Sequence, residues 1–224
     1  MTERKMILMA AASGLVYILA DITVGGFPFD FLPKTIPIWV LCYLVFTSVR
    51  NREGRLVGLG LLSGSGGDVA LALGHFVTGL SFFLIGHLFY IAAWTQRFQF
   101  RTVRAIPGIL VFAVAAILSF WLTPVLAGLT IPVYAYIGVI SVMSALSFLR
   151  NRESLILPAG TVLFVVSDAI IAINRFLFPV PLSGLWIMLT YYAAQAMIAY
   201  GFIKENTSSG ISSHTPEKKP QAAL

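Results

Sequence analysis

Residues 150–175 read RNRESLILPAGTVLFVVSDAIIAINR: two arginines and a glutamate, then a stretch from 155 to 174 in which Asp168 is the sole charge, then Arg175. Twenty helical residues rise about 30 Å, the hydrocarbon thickness of a bilayer. The stretch therefore reads as a membrane-spanning helix with arginine at its foot and one carboxyl inside it. The rest of the chain agrees. Of 224 residues, 58% are hydrophobic and 11% charged, and the mean hydropathy is +0.89. Average soluble domains carry roughly 25% charged residues, and a core of this size cannot hide so much apolar surface from water. An ordinary water-soluble globule is excluded.

Seven further apolar runs accompany the first: residues 6–24, 34–49, 56–74, 77–97, 105–122, 131–149 and 183–203. Pro37, Pro107 and Pro132 fall near the starts of three of them, where a missing amide is tolerated. The least marked boundary lies at Gly74 and His75, which predicts a tight turn. The fold expected is an all-α membrane protein, a bundle of eight transmembrane helices over residues 1–205, followed by a disordered cytoplasmic tail over 206–224 that is rich in Ser, Thr, Pro and Lys. The first run reads as a retained anchor rather than a secretory signal, because no small-residue cleavage site follows it.

A net charge of +6 and a pI near 9.7 raise the question of a nucleic-acid partner, which would need clustered, exposed cations beside stacking aromatics. The cations lie elsewhere. Arg4, Lys5, Arg50, Arg52, Arg55, Arg97, Arg101, Arg104, Arg150, Arg152, Lys204, Lys218 and Lys219 all fall on one side of the eight runs, and only Lys34 and Arg175 on the other. Short cytoplasmic loops carry such an excess, so both termini are expected in the cytoplasm, in a cell (inner) membrane, with no nucleic-acid partner and no obligate protein partner. Arg50-Asn51-Arg52-Glu53 recurs as Arg150-Asn151-Arg152-Glu153, each followed by an acid, Asp68 and Asp168, at the same offset. Duplication of spans one to four as five to eight and chance recurrence of arginine-rich loops both fit this echo.

Carboxyls in hydrocarbon cost about 2.5–3.5 kcal/mol on insertion scales and mark functional sites by default. Glu3, Glu53, Glu153, Glu205 and Glu217 are assigned to cytoplasmic loops or termini and Asp30 to an outer loop. Asp21 lies at the end of span one, where it reads equally as an interfacial residue. Asp68 and Asp168 remain, each roughly 18–20 Å from the cytoplasmic start of its span. His87, Tyr191 and Gln195 fall near the same depth, so the five are expected to line one buried polar chamber. With His75 at the outer surface and His214 in the tail, the chain lacks the His set of a zinc hydrolase, and it has no G-x-S-x-G elbow, H-E-x-x-H or P-loop. No metal and no cofactor is expected. Two carboxyls in an apolar chamber allow one to act as a general acid while the other stays ionised.

These residues resemble the YhhN, or lysoplasmalogenase-like, family of integral membrane proteins. The resemblance rests on Lys34; on Gly67-Asp68 with Leu71; on Phe76, Gly79, Phe83, His87 and Tyr90; on Phe164 with Ser167-Asp168; and on Tyr191 with Gln195. The family tends to have a serine four residues before the first Asp, where this chain has Gly64. The resemblance implies an eight-helix enzyme that takes a lysoplasmalogen from membrane lipid and cleaves its vinyl ether bond to a fatty aldehyde and a glycerophospho-base (glycerophosphoethanolamine or glycerophosphocholine). Asp68 and Asp168 would be catalytic, one donating a proton and the other stabilising the cation and activating water. Lys34 would hold the phosphate, and His87, Tyr90, Ser167, Tyr191 and Gln195 would bind or orient substrate, carboxyls and water. The competing class is a proton-coupled small-solute transporter or a lipid-binding membrane protein. Transporters break their helices at the binding site, and Gly64, Gly66 and Gly67 before Asp68 are the one dense break in a span.

Overall fold

A computed structural model describes residues 2–25, 29–151 and 154–212. Among these residues there are eight α-helices and no strand: α1 (Glu3–Val24), α2 (Phe31–Ser48), α3 (Arg52–Ala72), α4 (Phe76–Trp94), α5 (Thr102–Leu122), α6 (Thr130–Phe148), α7 (Ile156–Phe176) and α8 (Ser183–Ser212). All eight apolar runs become helices, and the bundle is all-α as expected. Helix α8 continues past residue 203 to Ser212; the remainder of the predicted tail, together with Arg152 and Glu153, lies outside the described residues. Pro37 sits inside α2 rather than at its first turn, because the helix begins three residues before the apolar run does.

Seven of the eight helices are long and apolar enough to cross a membrane by length and composition. The exception is α3, which carries Arg52, Glu53 and Arg55 in its first turn and six glycines along its length. Its composition follows from its place. It packs against α2 on one side and α4 on the other, so much of its surface meets protein rather than lipid. Two of its glycines permit the approach of α4: a Cβ on Gly60 would lie 2.6 Å from the Tyr90 ring, and one on Gly67 would lie 2.6 Å from the Phe83 ring. Small residues let membrane helices close to such distances. Asn51 caps α3, its side chain accepting from the Gly54 amide at 2.8 Å. At the other end Gly74 adopts φ +80°, while the His75 amide donates to Ala70 O and the Gly74 amide to Leu71 O. This is the Schellman arrangement, and it makes the tight turn expected at Gly74 and His75.

Helix α3 runs unbroken through Asp68, and α7 through Asp168. Of the glycines expected to interrupt α3, Gly66 and Gly67 instead face the Phe82 and Phe83 rings of α4, and Gly64 faces side chains of α8. Successive helices run antiparallel, as Trp39–Ser65 with Cys42–Gly58 and Tyr136–Asp168 with Ser144–Thr161 require. The end of α8 therefore lies at the same end of the bundle as the start of α3.

That end is closed by charge. Arg150 is 0% exposed. Its guanidinium meets Glu53 at 2.6 Å and Glu205 at 3.1 Å, donates to the Ala93 carbonyl at 3.2 Å, and lies 4.8 Å from the Trp94 ring centre. Arg97 joins Glu53 at 3.0 Å and donates to Asn206 Oδ1 at 2.6 Å. Backbone bonds from Gln99 to Leu149 and from Asn151 to Arg97 tie the two arginine-bearing loops together. Glu53, Arg150 and Glu205, which the run boundaries assign to loops, are thus core residues. Removing one partner of such a buried set strands the others. Arg150→Met is expected to cost about 3–5 kcal/mol, read as a large fall in melting temperature in detergent. An unchanged melting temperature would show that Glu53 and Glu205 find other compensation.

Candidate active site

Both intramembrane aspartates are held by partners from other helices, in two clusters. In the first, on α3, Asp68 Oδ2 accepts from the Tyr191 hydroxyl at 2.8 Å. Its Oδ1 lies 3.9 Å from Lys34 Nζ, with the two side chains 4% and 14% exposed. Lys34 sits in the first turn of α2, and the Tyr192 hydroxyl donates to its carbonyl at 2.8 Å. The ammonium given to a substrate phosphate by resemblance is thus already beside a carboxylate.

In the second cluster the Tyr136 hydroxyl, from α6, donates to Asp168 Oδ2, and His87 Nε2 lies 3.1 Å from that hydroxyl and 3.8 Å from Asp168 Oδ2. Because the Tyr136 proton is directed to Asp168, the consistent arrangement has His87 Nε2–H donating to the Tyr136 oxygen. His87 Nδ1 is buried and without a protein partner. Rings connect the clusters. Phe164 meets His87 at 4.9 Å and Tyr191 at 5.4 Å between ring centres, and Phe83 meets Phe164 and Tyr191 edge-on.

Beneath Asp68, the Tyr90 hydroxyl donates to Gln195 Oε1 at 2.8 Å, which leaves Gln195 Nε2 as a buried donor without a protein partner. A Cβ on Gly64 would lie 3.3 Å from both Gln195 Nε2 and the Tyr191 hydroxyl. A serine at that position would therefore point its hydroxyl into the site; with glycine the space stays open, bounded by one bare donor. Ser167 is used differently. Its hydroxyl donates to the Ile187 carbonyl at 3.1 Å and pins α7 to α8 one residue before Asp168. Asp21 lies near the start of α8, where a Cβ on Gly184 would be 3.3 Å from its carboxylate.

Tyr136 is the residue that motif reading overlooks. It lies six residues inside α6, about 9 Å from the end of the bundle opposite Arg150, close to the level of Asp168; its depth along the span is the signal that groups it with His87 and the aspartates. Beside it lies a partly open apolar pocket, walled by α4 to α7 with Leu71 of α3 and bounded by Phe76, Phe83, Leu118, Val133 and Phe176, with Asp168 and Tyr136 as its ionisable groups. Among the described residues no group of three or more His, Cys, Asp or Glu is placed to hold a metal ion.

Eight helices around paired, ring-separated carboxyls define a multi-pass integral membrane protein with a buried acidic centre. The YhhN family model matches residues 29–202, and the chain belongs to the YhhN family. Its relatives include the human protein named lysoplasmalogenase TMEM86A, 34% identical over 191 residues, covering 77% of this chain and 78% of that one. Human lysoplasmalogenase TMEM86B is 31% identical over 183 residues, covering 79% and 76%. The Mycobacterium tuberculosis protein named lysoplasmalogenase is 31% identical over 161 residues, covering 68% and 62%. No solved structure matches the chain at a significant level.

The difference between Gly64 and Gly60 is testable by stability. Gly64→Ser is expected to cost less than about 1 kcal/mol, because its Cβ meets only side-chain termini, one of them a bare donor. Gly60→Ser, driven against the Tyr90 ring, is expected to cost about 1–3 kcal/mol. Equal melting temperatures for the two variants in detergent would contradict this packing.

Proposed function

We propose that the protein is a lysoplasmalogenase-like hydrolase that opens the vinyl ether of a lysoplasmalogen by aspartate acid–base chemistry. The observation that carries this reading is Asp168, a carboxyl at the side of an apolar pocket, with a second carboxyl, Asp68, held beside an ammonium across a shared set of rings. The names of the relatives support the same class of reaction.

A vinyl ether opens when its β-carbon is protonated. The alkene electron pair forms the C–H bond, and the α-carbon becomes an oxocarbenium ion. Water adds to that carbon and gives up a proton, and the hemiacetal collapses to a fatty aldehyde and a free glycerol hydroxyl. The protein must supply a proton, an anion near the developing cation and a place for one water. Asp168 is assigned the donor role because it borders the pocket in which the alkenyl chain lies; His87 and Tyr136 orient its carboxyl. Asp68, paired with Lys34, remains the anion. It stabilises the cation and takes the proton from water. The bare Nε2 of Gln195 and Nδ1 of His87 are the buried polar atoms that a water or the glycerol hydroxyl would satisfy. Pairing carboxyls in contrasting surroundings is the arrangement glycosidases use for a related oxocarbenium ion. The unbroken α3 and α7 weigh against the transporter reading. The arginine-rich end of the bundle is assigned to the cytoplasm, which places both carboxyls toward the opposite side.

The test is aldehyde release from a lysoplasmenylethanolamine by the purified protein in detergent, with no ion gradient. Asp68→Asn and Asp168→Asn, at unchanged melting temperature, are expected to lower the rate by at least about 100-fold, and Tyr136→Phe by about tenfold. Aldehyde release at the wild-type rate from both asparagine variants would refute the assignment. So would gradient-dependent uptake of a solute in proteoliposomes without aldehyde release.

A further inference from the structure

The geometry points to Arg175 as the residue that receives the phosphate of the lysolipid, at the outer mouth of the pocket that Asp168 borders. Four observations place it there. Arg175 is exposed in the last turn of α7. Its guanidinium lies 3.9 Å from the centre of the Phe76 ring and 5.7 Å from that of Phe176. Phe76 and Phe176 meet edge-on at 5.8 Å, and both line the pocket. Among the described residues no carboxylate pairs with Arg175. The cation therefore rests on the wall of the pocket itself, and a guanidinium stacked on a ring keeps its N–H edge free for bidentate contact with a phosphate.

Spacing supports the assignment. Asp168 and Arg175 are seven residues apart, on one face of α7 and about 10 Å along its axis. In an extended lysoplasmalogen the phosphorus and the alkene β-carbon are separated by seven bonds, about 9 Å at ordinary bond lengths. A lipid whose phosphate meets Arg175 thus brings its vinyl ether to Asp168. The chain beyond needs an exit, and Val114 provides one. It lines the pocket, is 57% exposed, and lies eight residues from the outer end of α5, as Asp168 lies eight from that of α7. The tail leaves the pocket there into surrounding lipid. Lys34 is the other cation on this side, but Asp68 already stands 3.9 Å from its ammonium and would repel a second anion.

The assignment rests on the lysolipid reading of the site, and its test is independent of hydrolysis. Equilibrium binding to the full chain in detergent is measured for 1-O-hexadecylglycerophosphoethanolamine, an alkyl ether with no alkene to protonate, and for 1-O-hexadecylglycerol, which lacks the phosphate. Arg175→Gln is expected to weaken the phosphate-bearing ligand by about tenfold or more and to leave the neutral one within about twofold; Arg175→Lys is expected to keep part of the affinity. Equal weakening of both ligands would make Arg175 a structural residue, and no weakening of either would remove it from the site. Selective weakening by Lys34→Gln alone would move the phosphate to Lys34. Failure of wild-type protein to release aldehyde would refute the catalytic reading while leaving this binding result to stand by itself.

Discussion

A charge placed inside hydrocarbon has to be met by the protein, since no water is there to meet it. This constraint organises the bundle at two levels. At the arginine-rich end, Arg150, Glu53, Glu205 and Arg97 neutralise one another across two loops, the first turn of α3 and the end of α8. At mid-depth, Asp68 and Asp168 are met by an ammonium, two phenols and an imidazole drawn from α2, α4, α6 and α8. Each carboxyl thereby becomes a junction of several helices, so the buried polar groups also set which helices meet.

The two junctions are built alike. Asp68, on the third helix, is met by Lys34 from the second helix of its own half and by Tyr191 from the fourth helix of the other half. Asp168, on the seventh, is met by Tyr136 from the second helix of its half and by His87 from the fourth helix of the other. This correspondence follows the offset already visible in the repeated Arg-Asn-Arg-Glu segments, and those segments touch: Glu53 of the first binds Arg150 of the second. A pattern shared by helix order, aspartate position and partner helix is what duplication of a four-helix unit produces; recurrence of arginine loops for topological reasons would account for the loops alone. The halves differ in chemistry, with an ammonium beside one carboxyl and an imidazole beside the other. In the proposed mechanism that asymmetry is what separates a proton donor from a standing anion.

How much of this is legible in the chain depends on which physical signal carries it. Helix count and extent follow from bilayer thickness, which acts on every span, and the eight runs match the eight helices within a few residues except at the end of α8. Asp68 and Asp168 stand out because charge is scarce where they lie, and simple rise per residue puts His87 and Tyr191 beside them. Arg150 is misread because a topological count records only the side on which a cation falls, not whether it is solvated. Tyr136 is passed over because tyrosine is common in membrane helices and nothing local distinguishes Tyr136 from Tyr134, whose hydroxyl instead meets Thr123. Lys34 is found by residue type, but the proximity of Asp68 is a tertiary fact. Pairings of this kind depend on helix rotation, which an apolar run does not specify when most of its faces are apolar.

The glycines of α3 show how closely packing and chemistry are joined. A helix with so little side-chain volume is a poor lipid-facing span, and by composition it fails as one. Enclosed by its neighbours, it lets Tyr90 and Phe83 lie against its backbone. Those rings do not fill a gap at random: Tyr90 directs its hydroxyl to Gln195, and Phe83 stands between the pocket and Tyr191. Side chains of ordinary size at Gly60 and Gly67 would push α4 away, and His87, on the same helix between these rings, would move with it. The distance between imidazole and Asp168 is therefore governed in part by residues that touch neither. The absence of side chains along one face of α3 is as much a part of the acidic centre as the carboxyl that α3 carries into it.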